Sequence, residues 1–119
     1  MNRCWFVVVS LLALSGPVLA HSSLVRSDPG DGASLQTAPN EIRMWFTEPI
    51  KAGLSSIEVR DAAGRQIDQR DLRADKKEPA LVRLSLPANL GPGAYKVIWS
   101  AVAQDLHVAR GSFNFRVTR

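Results

Sequence analysis

An all-β domain, either a β-sandwich or a Greek-key barrel of about seven short strands, is what the chain beyond residue 20 predicts. Two patterns and one absence support this. Apolar and polar residues alternate at a period of two over several short stretches, and clusters of Gly, Pro, Asp and Asn separate them. No helical periodicity persists beyond a turn or two. Strands that are apolar on one side only must cover that side with another sheet, which is the logic of a small sandwich.

The elements follow in order. Ser23 to Ser27 reads as a short edge strand ended by Asp28-Pro29-Gly30-Asp31-Gly32, a dense turn signal, and Ala38-Pro39-Asn40 is a second turn. From Glu41 to Thr47 the alternation is clean, with Ile42, Met44 and Phe46 inward and Arg43, Trp45 and Thr47 outward. Leu54 to Asp61 repeats it with Ile57 and Val59 inward, and Asp61-Ala62-Ala63-Gly64 turns the chain. The polar stretch from Arg65 to Pro79 is expected to hold a short strand around Ile67 and then a loop. Leu81 to Leu86 alternates with Leu81, Leu84 and Leu86 as core candidates and Val82 out of phase. Gly91-Pro92-Gly93 leads into Ala94 to Val102, where Tyr95, Val97 and Trp99 share a face, and Ser112 to Thr118 places Phe113, Phe115 and Val117 together. The aromatics Phe46, Tyr95, Trp99, Phe113 and Phe115 are read as core. Trp45 is either a surface residue or part of a second apolar patch.

Residues 1–20 carry a basic start at Arg3, an apolar run from Trp5 to Leu14, a break at Ser15-Gly16-Pro17 and the small or aliphatic pair Val18 and Ala20, the pattern of a cleaved signal peptide. The run is shorter than the ~20 residues of a spanning helix. Cleavage after Ala20 is therefore expected to leave residues 21–119 as one exported domain beginning at His21. The single cysteine, Cys4, leaves with the peptide, so the remaining domain has neither a disulfide nor a thiolate. Basic residues from Arg60 to Lys77 are interleaved with Asp61, Asp68, Asp71 and Asp75 and contain no aromatic. That stretch reads as a solvated face, and nucleic acid is not an expected partner.

The candidate chemistry rests on two histidines. His21, as a free N-terminal residue, offers its α-amine and the ring nitrogen nearest the backbone to one ion. Asp105 and His107 are two residues apart, hence on one side of an extended segment. Nitrogen and carboxylate donors suit copper(II), which also heads the divalent affinity order. Zinc can use the same atoms, although its structural sites favour closed tetrahedra with cysteine. Copper(I) prefers sulfur, and the only methionine past the leader is Met44, predicted inward.

These residues resemble the copper-resistance protein C (CopC) family of small periplasmic copper carriers. The likeness is carried by His21-Ser-Ser-Leu-Val-Arg-Ser-Asp-Pro29, Ile42-Arg-Met-Trp-Phe-Thr-Glu-Pro49, Gly93-Ala-Tyr-Lys-Val-Ile-Trp99, Asp105-Leu-His107 and Gly111-Ser-Phe-Asn-Phe-Arg-Val117, and it runs over all of residues 21–119. The resemblance implies an immunoglobulin-like Greek-key β-sandwich and one copper(II) ion held by His21 through amine and imidazole, with Asp105 and His107. It also implies a glutamate close to the metal, at Glu48. Many members have Asp-Gly-His-Pro where this chain has Asp105-Leu106-His107-Val108. The stretch matching a methionine-rich copper(I) loop in some members, roughly 60–79, has no methionine or histidine, which implies a copper(II)-only version. The implied role is a periplasmic, monomeric binder that buffers or carries copper for resistance and homeostasis, with no catalytic turnover. An inner-membrane copper importer of the CopD type is the implied partner. Two rivals come from other classes: an oxidative polysaccharide-cleaving enzyme built on a terminal-histidine copper site, and a metal-free immunoglobulin-like interaction module.

Overall fold

Eight strands form two four-stranded sheets in a computed structural model that describes residues 23–119. The strands are β1 (Leu24–Asp28), β2 (Ala33–Leu35), β3 (Glu41–Phe46), β4 (Ser56–Arg60), β5 (Arg73–Ala74), β6 (Leu81–Ser85), β7 (Gly93–Val102) and β8 (Val108–Val117). The first sheet runs β1-β3-β6-β5 and the second β2-β8-β7-β4. All neighbours are antiparallel except β2 and β8. This is the immunoglobulin-like Greek-key sandwich that the alternation and the resemblance led us to expect, with one more strand than the seven read from the sequence. The expected leader, residues 1–20, and His21 lie outside the described residues.

Inward positions of the two sheets meet as one core. Ile42, Met44 and Phe46 of β3 face Tyr95, Val97 and Trp99 of β7 and Phe113, Phe115 and Val117 of β8, all buried. Phe46 meets Trp99 across the sheets edge-to-face, with ring centroids 5.5 Å apart, an arrangement favoured by the ring quadrupoles. Tyr95 stacks on Phe115 at 5.3 Å, and its hydroxyl donates to the Gly91 carbonyl (2.6 Å). A tyrosine at the start of a strand that ties back to the backbone just upstream is a recurrent corner of immunoglobulin-like sandwiches.

Several local expectations change. The inward residues of β6 are Val82, Leu84 and, just past its end, Leu86, while Leu81 is buried outside the central core, opposite Trp45 on the outer face. Two adjacent apolar residues left the phase of this strand ambiguous. Trp45 is half-buried, because the Arg26 guanidinium lies 3.6 Å from its ring centroid and Leu81 flanks it in register. The strand expected around Ile67 is only an isolated bridge between Arg60 and Gln66, and the real one is β5, whose two residues are too few to carry an alternation. β1 carries a bulge: Leu24 pairs with Phe46 and Arg26 with Trp45, leaving the exposed Val25 without a partner residue.

Asp68 also departs from its reading as part of a solvated face. It is buried, and its Oδ1 accepts the Val59 N–H (2.8 Å) while Oδ2 accepts the Arg70 N–H (3.1 Å) and the Gln66 amide (3.3 Å). Val59 sits on the sheet-edge side of β4, so Asp68 supplies an acceptor that a further strand would otherwise provide. Asp68→Ala strands the Val59 donor, and a urea denaturation series is expected to show a loss of about 1–3 kcal/mol in unfolding free energy.

Candidate metal centre

The strand ends on one side of the sandwich are joined by hydrogen bonds that no single strand would predict. Ser23, the first described residue, donates its N–H to Thr47 Oγ1 (2.9 Å) and accepts the Thr47 N–H (3.0 Å). Two residues on, the Pro49 carbonyl accepts the Gln104 N–H (3.3 Å). Ile50 bridges Ala103, and the Lys51 N–H donates to the Val102 carbonyl (2.8 Å). Glu48 therefore sits in a crossover segment fixed on one side to the start of β1 and on the other to the exit of β7. The Asp105–His107 loop follows that exit directly.

Within the loop, Asp105 and His107 come together differently from the sequence expectation. The segment is a turn: the Leu106 N–H donates to the Ala103 carbonyl (2.9 Å), the Ala103 N–H donates to the His107 carbonyl (3.0 Å), and Leu106 has φ +72°. Asp105 closes the turn with its side chain, Oδ1 accepting the His107 N–H (3.0 Å) and Oδ2 lying 2.9 Å from His107 Nδ1. The His107 ring and backbone hydrogen bonds hold the Asp105 carboxyl below the usual carboxylate range. An ionised carboxylate only accepts, so Nδ1 must carry the proton of this hydrogen bond. In a neutral imidazole the lone pair then resides on Nε2. A carboxylate that fixes the tautomer and ring orientation in this way is the usual companion of a metal-binding histidine.

The sequence-predicted residues are thus distributed as follows. Asp105 and His107 are in direct contact, and both side chains are exposed, at 40% and 58%. Glu48 is half-buried in the adjoining crossover, and His21 lies outside the described residues. Among the described residues, no three of His, Cys, Asp and Glu come close enough to hold a metal ion. Sequence reasoning missed the Ser23–Thr47 and Pro49–Gln104 ties. The second is purely backbone and the first pairs backbone groups with the Thr47 hydroxyl, so no alternation of side chains reports either.

Comparison with known proteins identifies relatives over nearly the whole chain. The CopC domain model matches residues 24–118. The copper transport protein CutJ of Bacillus subtilis is 29% identical over 98% of this chain, which spans only 22% of CutJ's length. Protein YobA of Escherichia coli is 27% identical over 97% of the chain and 93% of its own length. Among solved structures, CopC from Methylosinus trichosporium OB3b superposes with a TM-score of 0.75 at 25% identity, covering 82% of this chain and 93% of that one. PcoC, a methionine-rich copper resistance protein from Escherichia coli, superposes with a TM-score of 0.70 at 24% identity, covering 83% and 100%, and so supports the fold.

Leu106 occupies the left-handed region where the resemblance places a glycine in many members. A β-carbon there costs roughly 1–2 kcal/mol, partly offset in Leu106→Gly by the greater freedom glycine gives the unfolded chain, about 0.4–1 kcal/mol. Leu106 is 62% exposed, so little packing is lost. Leu106→Gly is expected to raise unfolding free energy by about 0.5–1 kcal/mol, measured by chemical denaturation with metal absent.

Proposed function

The chain belongs to the CopC family, and on that premise we propose that it binds one copper(II) ion in the periplasm and buffers or carries it without catalytic turnover. Copper is the ion that its relatives are named for, in CutJ for transport and in PcoC for resistance. The observation that carries the reading is the convergence of Ser23, the Thr47–Pro49 crossover and the Asp105–His107 turn at one end of the sandwich. A chain advances at most about 3.3–3.6 Å per residue. Two residues of chain span roughly 7 Å at most, so a ligand two positions before Ser23 is compatible with that anchor.

In this reading residues 1–20 are removed as a signal peptide and the domain begins at His21, whose amine and imidazole take two positions on the ion. His107 adds Nε2, oriented by Asp105. The Asp105 carboxylate, which still has lone pairs beyond its two hydrogen bonds, contributes oxygen, and Glu48 stands close by. Two or three nitrogens with carboxylate oxygen match copper(II). The protein acts as a monomer and exchanges copper with an inner-membrane importer of the CopD type. Trp45, the aromatic that an oxidative polysaccharide-cleaving enzyme would use as a stacking surface, is capped by Arg26. That weakens the enzymatic alternative.

The processing step provides the test. Copper(II) titration of protein starting at His21 is compared with the same protein carrying one added N-terminal glycine, which converts the amine to an amide. Loss of one nitrogen donor and its chelate ring is expected to lower affinity by several kcal/mol, set against the roughly 10–16 kcal/mol of a complete structural zinc site. Circular dichroism should be unchanged. Equal affinities would eliminate the terminal-histidine site while leaving copper binding open. Because the amine and imidazoles must be deprotonated, with ordinary pKa values near 7.7–8.0 and 6.5, affinity is also expected to fall steadily from about pH 8 to pH 5.

A further inference from the structure

The two outer faces of the sandwich are charged in opposite styles. On the first sheet the cations are neutralised in place. Arg43 pairs with Asp28 and Glu41, Arg73 with Glu41 and Asp71, and Arg83 with Glu41 and Asp75, while Arg26 lies over Trp45. Four arginines on this face thus stand among four carboxylates. On the second sheet Arg60 pairs with Glu58 (3.0 Å), and Lys96, Arg110 and Arg116 point outward, exposed and without an ion-pair partner among the described residues.

The surplus charge of the chain lies on that second face. With Arg3 outside the described residues, the 15 Lys and Arg become 14 against 11 Asp and Glu, a surplus of three. The first face balances, and with Asp71 and Asp75 counted there, the six loop cations stand against six remaining loop anions. What is left is Lys96, Arg110 and Arg116. Strand register spreads them over the face: Arg110 lies opposite Ser100, Lys96 opposite Asn114, and Arg116 opposite Ala94. Serines and the partly exposed Ile98 and Val108 (37% and 42%) fill the positions between.

We infer that this face is a docking surface for an anionic phospholipid bilayer. Protein interfaces are anchored by aromatic side chains in a desolvated centre, and this face presents no aromatic side chain outward. A bilayer surface asks for something else, namely cations spread over a flat area. Each is worth about five-fold in binding near an anionic leaflet. Serine hydroxyls can bond headgroup oxygens, and one or two aliphatic side chains can rest at the headgroup boundary. With the second sheet against the membrane, the Asp105–His107 turn, which joins β7 to β8 at the end of that same sheet, stays at the edge of the contact. The inference does not depend on copper.

The test uses metal-free protein beginning at His21. It keeps all eight strands and lacks the apolar run of residues 5–14, which would bind lipid by itself. Co-sedimentation is measured with vesicles of phosphatidylcholine alone and of phosphatidylcholine with phosphatidylglycerol, at low and at physiological ionic strength. Binding is expected only with phosphatidylglycerol and should weaken with salt, as the screening length falls from about 30 Å at 0.01 M to 8 Å at 0.15 M. The triple variant K96E/R110E/R116E is expected to lose about 100-fold or more, since each charge contributes about five-fold. K76E/K77E/R119E makes the same change in net charge on exposed loop and terminal positions and should lose less than about ten-fold, as those charges lie off the face. Both variants are checked for an unchanged dichroism spectrum and melting point. No binding to the anionic vesicles at low salt, or equal losses in the two variants, overturns the proposal. So does binding to polyglutamate under conditions in which the vesicles are ignored, which would assign the face to an acidic protein segment.

Discussion

The segment from Thr47 to Lys51 is hydrogen-bonded to both sheets at once, and the organisation of the candidate metal end depends on it. Its first residue is locked to Ser23 on the first sheet, while Pro49, Ile50 and Lys51 are locked to Gln104, Ala103 and Val102 at the exit of β7 on the second. The packing of Phe46 on Trp99 sets the separation that the crossover must span. Backbone hydrogen bonds of this kind have short reach and strong directionality. They hold three chain segments, remote in sequence, at mutual distances that neither sheet alone would impose.

On this frame the Asp105–His107 turn acts as an orienting device. The carboxylate closes the turn through the backbone and selects the imidazole tautomer through the ring, so one side chain sets both the loop conformation and the direction of the Nε2 lone pair. A leucine stands at the left-handed position of the turn. Backbone strain at a candidate site is tolerated when the surrounding bonds over-determine the conformation. Here the Ala103–Leu106, Ala103–His107 and Asp105–His107 bonds do so.

Much of this fold was legible from alternation, and the residues that defeated it do so for physical reasons. Phe113, Phe115 and Val117 have polar neighbours on both sides, and Ile42 stands between Glu41 and Arg43, so the phase of these two strands is legible. Leu81 and Val82 are consecutive, and only the indole of Trp45 outside the sandwich explains why both are buried. β5 is an edge strand of two residues, short as edges tend to be, and leaves no periodic trace. For the candidate site, residue chemistry pointed to Asp105 and His107, but period-two reasoning supplied a wrong geometry, because the pair meets through a turn. The distribution of charge was the least legible. Composition gives a surplus of four, three of it among the described residues, whereas the confinement of those three to one sheet arises from cross-strand ion pairing.

The direction of β8 has a consequence for anything attached to this domain. The strand starts beside the His107 turn and runs ten residues to Val117, roughly 33 Å at the rise of an extended strand. There Leu35 of β2, paired in parallel, accepts the Thr118 N–H and fastens the end. A tether or a fused module added after Arg119 therefore departs from the pole opposite His107. It can hold the domain at a chosen place while the pole that carries the Asp105–His107 turn stays free of the attachment.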